Sequence, residues 1–242
     1  MNVFSDFRRY ALPLRADALL IPALRRMLAI GIPIGVQFML EYGVFGVVGL
    51  LMGWLGTEQM AGHQIALNLA SFTFMVPMGV SGAAAVLVGR AVGRGDSAEA
   101  RRAALAALVC GAGFMAVSGA LMLAAPDFFA RAYTTDRTVV AVAASLIPLA
   151  GVFQIFDGIQ VVAIGILRGV ADTRTPMLIN VLGFWLIGLP VIIWLGLGTP
   201  AGPRGLWWGL VLGLAIVAVA LLLRVRSRLK GQLERVVIDA RL

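Results

Sequence analysis

Residues 138–167 read TVVAVAASLIPLAGVFQIFDGIQVVAIGIL, a stretch with no Lys, Arg or Glu and a single acid, Asp157. A bilayer hydrocarbon core about 30 Å thick is crossed by roughly 20 predominantly apolar helical residues. The stretch is therefore long enough to span a membrane. Its few polar groups are ordered: Gln154 and Gln160 flank Asp157 at steps of three. At 100° per residue those steps keep all three side chains within an arc of about 120° on one face of a helix. A narrow polar stripe on an apolar wall is the pattern of a helix that faces something other than lipid.

Working outward, five more stretches meet the same length requirement, near 28–55, 62–89, 103–125, 175–197 and 205–223. Short segments rich in turn formers separate them, such as Gly93-Arg94-Gly95-Asp96-Ser97 and Gly198-Thr199-Pro200-Ala201-Gly202-Pro203. Composition agrees: 60% of the 242 residues are hydrophobic and 13% charged, and the mean hydropathy is +0.95. These values lie far outside the range of soluble domains. The expected fold is an all-α, polytopic membrane protein, a bundle of six transmembrane helices over 28–223 followed by a basic tail over 224–242.

A net charge of +8 and a pI near 11 raise the question of a nucleic-acid partner. The placement of the charges answers it. Residues 1–27, 90–102, 168–174 and 224–242 hold five, four, two and six Lys or Arg, seventeen in all, whereas loops 56–61, 126–137 and 198–204 hold three. The positive-inside rule then places both termini in the cytoplasm. Trp54, Tyr133, Trp194, Trp207 and Trp208 all fall at the ends expected outside, where amphipathic rings settle among headgroups. No nucleic-acid partner is expected, and the Arg94-Gly95-Asp96 tripeptide, cytosolic in this topology, is read as a chance match to an adhesion motif. There is no removable signal peptide pattern between Met1 and Arg26. The lone Cys110 is expected to be a small packing residue. Phosphate loops, HExxH, nucleophile elbows and dinucleotide fingerprints are all missing, so neither enzyme chemistry, a cofactor nor ATP drive is expected.

Small residues at four-residue spacing predict close helix packing at Gly31 and Gly35, Gly165 and Gly169, and Gly205, Gly209 and Gly213. Pro33, Pro77, Pro148 and Pro190 fall inside spans and are expected to kink helices or free carbonyls. The lone histidine, His63, sits at the outer end of the second span, where a packing role is expected.

Of the twelve Asp and Glu residues, only Glu41 and Asp157 lie within spans. A charged carboxylate at helix centre costs about 2.5–3.5 kcal/mol on insertion scales, so each acid must face a wet cavity, bind a cation or carry a proton. Glu41 has Gln37 one turn before it on the same face. Two readings follow from the residues. In one, Glu41 and Asp157 are a coupling site for Na⁺ or H⁺, supported by Gln37, Gln154, Gln160 and Asn180. In the other, the acids are structural and bond to backbone freed by the prolines or to Asn68 and Asn180.

The run Gly31-Ile32-Pro33-Ile34-Gly35, followed by Glu41, resembles the start of the seventh helix of multidrug and toxic compound extrusion (MATE) transporters. Gly89-Arg90-Ala91-Val92-Gly93-Arg94-Gly95-Asp96, with Ala100-Arg101-Arg102, is similar to the cytoplasmic link between that family's eighth and ninth helices. Phe153-Gln154-Ile155-Phe156-Asp157-Gly158-Ile159-Gln160, then Gly165-Ile166-Leu167-Arg168-Gly169, Asp172-Thr173 and Pro190, resembles its tenth and eleventh helices in bacteria. The resemblance covers about residues 20–225. It implies the carboxy-terminal half, helices seven to twelve, of a bacterial inner-membrane antiporter that exchanges Na⁺ or H⁺ for organic, often cationic, drugs. Glu41 and Asp157 match the acids that take part in cation binding. Phe153 stands where some relatives have tyrosine and lacks the hydroxyl a ligand role would use. Residues 1–27 look like the amphipathic cytoplasmic connector between the two lobes. The resemblance further implies a second six-helix lobe, either another copy or a separate amino-terminal half, with truncation of a longer transporter the favoured origin. The alternatives are a non-transporting lobe or partner subunit, and a flippase for lipid-linked precursors.

Overall fold

The computed structural model describes residues 21–230. Among them the regular elements are helices: α1 (Ile21–Leu55), α2 (Thr57–Gly93), α3 (Ser97–Ala124), a short α4 (Pro126–Tyr133), α5 (Arg137–Gly169), α6 (Arg174–Leu197) and α7 (Gly202–Lys230). Six of these, all but α4, are long and apolar enough to cross a membrane. The fold is thus the expected all-helical, six-span membrane lobe. The first twenty residues of the expected connector, and the expected tail beyond Lys230, lie outside the described residues.

The helices outrun their apolar stretches because their polar ends keep the backbone bonded. The expected loop 56–61 shrinks to Gly56, whose φ of 140° suits glycine alone, and α2 starts at once with Glu58 complementing its amino-terminal dipole. Within the expected loop 126–137, α4 forms with proline at its start and Asp127 and Arg131 at the favourable ends. Asp136 then caps α5 by accepting from the Thr138 and Val139 amides at 2.8 and 3.2 Å. The Arg94-Gly95-Asp96 tripeptide is a turn and a cap: Gly95 has φ 75°, the Asp96 carboxylate accepts from the Glu99 amide at 2.8 Å, and Arg94 pairs with Glu99 at 2.6 Å.

Around Pro190, α6 departs from regular geometry. Val181–Gly188 is a π-helical segment between two α-helical stretches, with the Leu189 amide bonded five residues back to the Phe184 carbonyl. Proline cannot donate and crowds the carbonyl four residues before it, and widening the preceding turns is one way a helix accommodates that.

At the centre stands α5, packed against α2, α3, α4 and α7. Its glycines recur every seven residues, Gly151, Gly158 and Gly165, and each lies where a neighbouring helix comes closest. A Cβ on Gly151 would lie 2.9 Å from the Gly119 carbonyl of α3, one on Gly158 would lie 2.6 Å from Met115 Cγ, and one on Gly165 would overlap the Ser81 carbonyl and hydroxyl of α2. In a bilayer, where lipid tails are as apolar as the side chains, such contacts are what holds helices together. Gly169, Gly205, Gly209 and Gly213 are tight in the same way. Gly31 and Gly35 are not: both are exposed, with nothing within 4 Å of a built Cβ. Their spacing fits a packing motif, but among the described residues no helix lies against that face of α1.

Two further expectations change. Cys110 is exposed on the apolar surface of α3 rather than packed. Trp207 is fully buried, edge-to-face with Phe153 and His63 at centroid distances of 5.8 and 5.7 Å, whereas Trp54, Trp194, Trp208 and Tyr133 remain exposed. Neighbouring positions 207 and 208 lie 100° apart on the helix, and the packing of α7 turns Trp207 inward and leaves Trp208 outside.

Candidate functional site

Glu41 of α1 and Asp157 of α5 line one cavity of about 140 Å³. Five aromatic rings share its wall: Phe38, Tyr42, Phe45, Phe74 and Phe153. Three of these come from α1 at spacings of four and three, which puts them on one helical face with Glu41. That spacing is visible in the sequence, but rings inside an apolar span do not stand out by hydropathy. Phe153, without a hydroxyl, contributes its ring, packed edge-to-face on Phe45 at 5.9 Å. A second depression of about 580 Å³ shares Tyr42, Phe45 and Leu67 with the first and continues along Gly46, Gly49 and Gly53 to Trp54, Met60 and His63. His63 is buried there with Nδ1 unpartnered among the described residues.

Gln160 ties the two acid-bearing helices together: its Nε2 donates to Glu41 Oε1 at 3.1 Å. Gln160 Oε1 is buried and has no partner among the described residues. Hard cations take oxygen ligands, and this unpartnered amide oxygen, on the side chain that donates to Glu41, is of that kind. No group of three or more His, Cys, Asp and Glu suited to a metal occurs among the described residues. A cation here would draw on two acids and neutral oxygens.

The other polar residues divide. Gln154 faces away from the acids: its Oε1 accepts from Thr73 Oγ1 at 2.7 Å, and its Nε2 donates to Ser118 Oγ at 2.7 Å and the Met115 carbonyl at 3.3 Å. It joins α2, α3 and α5. Gln37 is buried on α1, and Asn180 is buried on α6 with both side-chain polar atoms unpartnered among the described residues. Asn68 is exposed and accepts from the Tyr133 hydroxyl at 3.1 Å, so it does not partner the acids.

A residue outside the expected set joins the site. The Arg168 guanidinium lies over the Phe38 ring, 5.4 Å from its centroid, and its charge acts on Glu41. In the sequence Arg168 falls among the charges that orient the chain, and no spacing rule links it to Glu41, because the link is tertiary.

The α5–α6 turn carries a separate ionic cluster. Ala171 adopts φ 58°, and the Asp172 amide closes the helix end on the Leu167 carbonyl at 2.8 Å. The Asp172 carboxylate accepts from Arg224 Nε at 2.8 Å and lies 3.2 Å from Arg228 Nε. Burial pushes the Asp172 carboxyl upward, but hydrogen bonds from Thr175 and Arg224 and the Arg224 charge outweigh it and hold it below its ordinary value. The clamp ties the α5–α6 turn to the last turns of α7, which stays helical as far as Lys230.

Six membrane-length helices around a glycine-seamed core, with two acids in one aromatic-walled cavity, define a multi-pass integral membrane protein. Residues 33–194 match the MatE family, and the chain belongs to it. It is 44% identical over 204 residues to the multidrug resistance protein NorM of Burkholderia vietnamiensis, covering 82% of this chain and 44% of that protein. With the multidrug resistance protein PmpM of Pseudomonas aeruginosa it shares 43% identity over 202 residues, 82% of this chain and 42% of PmpM. The eukaryotic MATE transporter AtDTX14 superposes with a TM-score of 0.82 at 26% identity, over 88% of this chain and 48% of that one. The bent form of Vibrio cholerae VcmN has the same fold, with a TM-score of 0.82 at 17% identity, over 95% of this chain and 52% of that one. The chain spans about half the length of the curated relatives it matches.

Proposed function

We propose that this chain is one lobe of a cation-coupled antiporter that exports organic cations by alternating access, with Glu41 and Asp157 as the coupling carboxylates. The observation that carries the reading is their shared cavity with its five aromatic rings. Rings attract cations through their faces and carboxylates through charge, so the wall suits a flat organic cation and the acids suit Na⁺ or H⁺. Exchange follows if the two compete for the same carboxylates. An anionic lipid-linked precursor would meet two acids there, which disfavours the flippase alternative. The names of the relatives, multidrug resistance proteins, point the same way.

The working assembly joins this lobe to a second six-helix lobe, either another copy or a separate amino-terminal half, in the bacterial inner membrane with both termini cytoplasmic. The charge asymmetry of the loops supports that orientation. The test is efflux of a fluorescent organic cation from proteoliposomes holding the chain, alone and with the amino-terminal half of the Burkholderia NorM. Proton and sodium gradients are imposed separately. Asp157→Asn abolishes gradient-driven efflux while insertion stays normal; unaltered efflux removes the coupling assignment.

A further inference from the structure

Glu41 has a positively charged side chain nearby that the antiport reading leaves without a role. Arg168 stands in the last turn of α5, two turns beyond Gln160, the residue that donates to Glu41. Its guanidinium carbon is 5.4 Å from the centroid of Phe38, one turn before Glu41 on α1. The guanidinium stops short of the acid: among the described residues no ion pair within 4 Å joins Arg168 and Glu41, although their charges interact. Arg168 Nε is buried and donates to nothing among the described residues. A buried charged donor without an acceptor is costly, and the nearby Glu41 carboxylate is the acceptor that would satisfy it.

We propose that Arg168 is the tethered cation of this site, a specificity-determining residue that takes the place of the mobile cation on Glu41. With Na⁺ or H⁺ on Glu41, the guanidinium rests on the Phe38 ring, the contact seen at 5.4 Å. When the mobile cation leaves, the guanidinium crosses the remaining gap and pairs with the carboxylate, so the acid is never left bare in a low-dielectric wall. The ring is a suitable resting place because its face attracts the planar cation without consuming it in an ion pair. Arg168 therefore competes with the coupling ion, lowering its affinity and speeding its release. Asp157, the other ionisable group lining the cavity, and Gln160, which bonds to Glu41, carry no positive charge that would do the same.

The inference rests on Glu41 being a cation site. The test is equilibrium binding on the purified full chain in lipid nanodiscs, with sodium-22 as one probe and proton uptake, read from the carboxyl infrared band, as the other. Neighbouring unit charges shift carboxylate affinities by roughly tenfold or more. Arg168→Gln is expected to tighten binding of whichever cation the chain takes by about that factor, because the competitor is gone. Arg168→Lys keeps a tethered charge and stays within about threefold of the unsubstituted chain. Phe38→Leu removes the resting place, drives the guanidinium onto Glu41 and weakens cation binding. The opposite signs of Arg168→Gln and Phe38→Leu exclude a common loss of stability as their cause. Arg168→Gln binding with unchanged or weaker affinity, or Phe38→Leu binding more tightly, overturns the proposal while leaving the coupling site intact. An unsubstituted chain that takes up neither Na⁺ nor protons overturns the coupling reading, and the tethered cation with it.

Discussion

Helices α2 and α5 meet backbone to backbone at Gly165, where a methyl group would overlap both the carbonyl and the hydroxyl of Ser81. The same hydroxyl donates to the Val161 carbonyl at 2.7 Å, so a single methyl disturbs the contact and the bond that fastens it. Forcing an extra carbon into a filled core costs about 1–3 kcal/mol. Loosening an interhelical hydrogen bond in a bilayer adds about 0.6 kcal/mol. Unfolding in SDS leaves helices largely formed, so the helix propensity gained from alanine mostly cancels. Gly165→Ala is therefore expected to destabilise the lobe by roughly 2–3 kcal/mol. The assay is reversible unfolding in mixed micelles as the SDS fraction rises, followed by tryptophan fluorescence. Gly35→Ala is the matched control: a Cβ there meets nothing within 4 Å, and the change stays within about 0.5 kcal/mol. Equal stability of Gly165→Ala and the unsubstituted chain, or equal losses in both variants, would refute the seam as the source of cohesion.

Gln154→Leu removes the interhelical partner of the Thr73 and Ser118 hydroxyls, which keep carbonyls of their own helices, and lowers stability by about 1 kcal/mol in the same titration, at bilayer values for two such bonds. Cation affinity in that variant stays within about twofold, because the side chain faces away from the cavity; a tenfold loss would return Gln154 to the site. The Asp172 clamp gives a pH signature. Its carboxyl is held below the ordinary 3.8, so the folded state binds fewer protons than the unfolded one in that range. The stabilisation is fully present above the unfolded value and disappears as pH falls through the folded one. Melting temperature should thus show a step below about pH 4 that Asp172→Asn removes; an identical acid limb in the variant would contradict the assignment.

The number and rough position of the spans were legible because the bilayer sets a single length scale, and six apolar stretches met it. Their ends were not, since polar residues such as Glu58 and the arginines of α7 stay helical once capped or paired, which hydropathy does not register. Glycine spacing gave correct contacts at Gly165 and Gly169 and at Gly205, Gly209 and Gly213, but misled at Gly31 and Gly35. A four-residue repeat describes a smooth helix face; whether anything lies against it depends on the rest of the assembly. Trp207 and Trp208 show the same limit from the other side, with one indole in the core and one outside it.

The site divides along the same line. Glu41 and Asp157 were conspicuous because an acid inside a span is costly wherever it points, and that cost can be read from a single chain. Direction cannot. Gln154, Asp157 and Gln160 occupy one 120° arc of α5, yet an arc that wide reaches several neighbours: Gln154 bonds to α2 and α3, while Gln160 bonds to Glu41 on α1. Arg168 is the sharper case. It is one of seventeen Lys and Arg on the side of the expected topology that the positive-inside rule calls cytoplasmic, and that rule accounts for its presence without any partner. The rule constrains where the Arg168 backbone emerges, while the long side chain is free to turn back along α5 toward Phe38. A cationic residue at the end of a membrane helix can thus orient the chain and act on an acid deeper in the wall, and only the positions of the neighbouring helices reveal the second role.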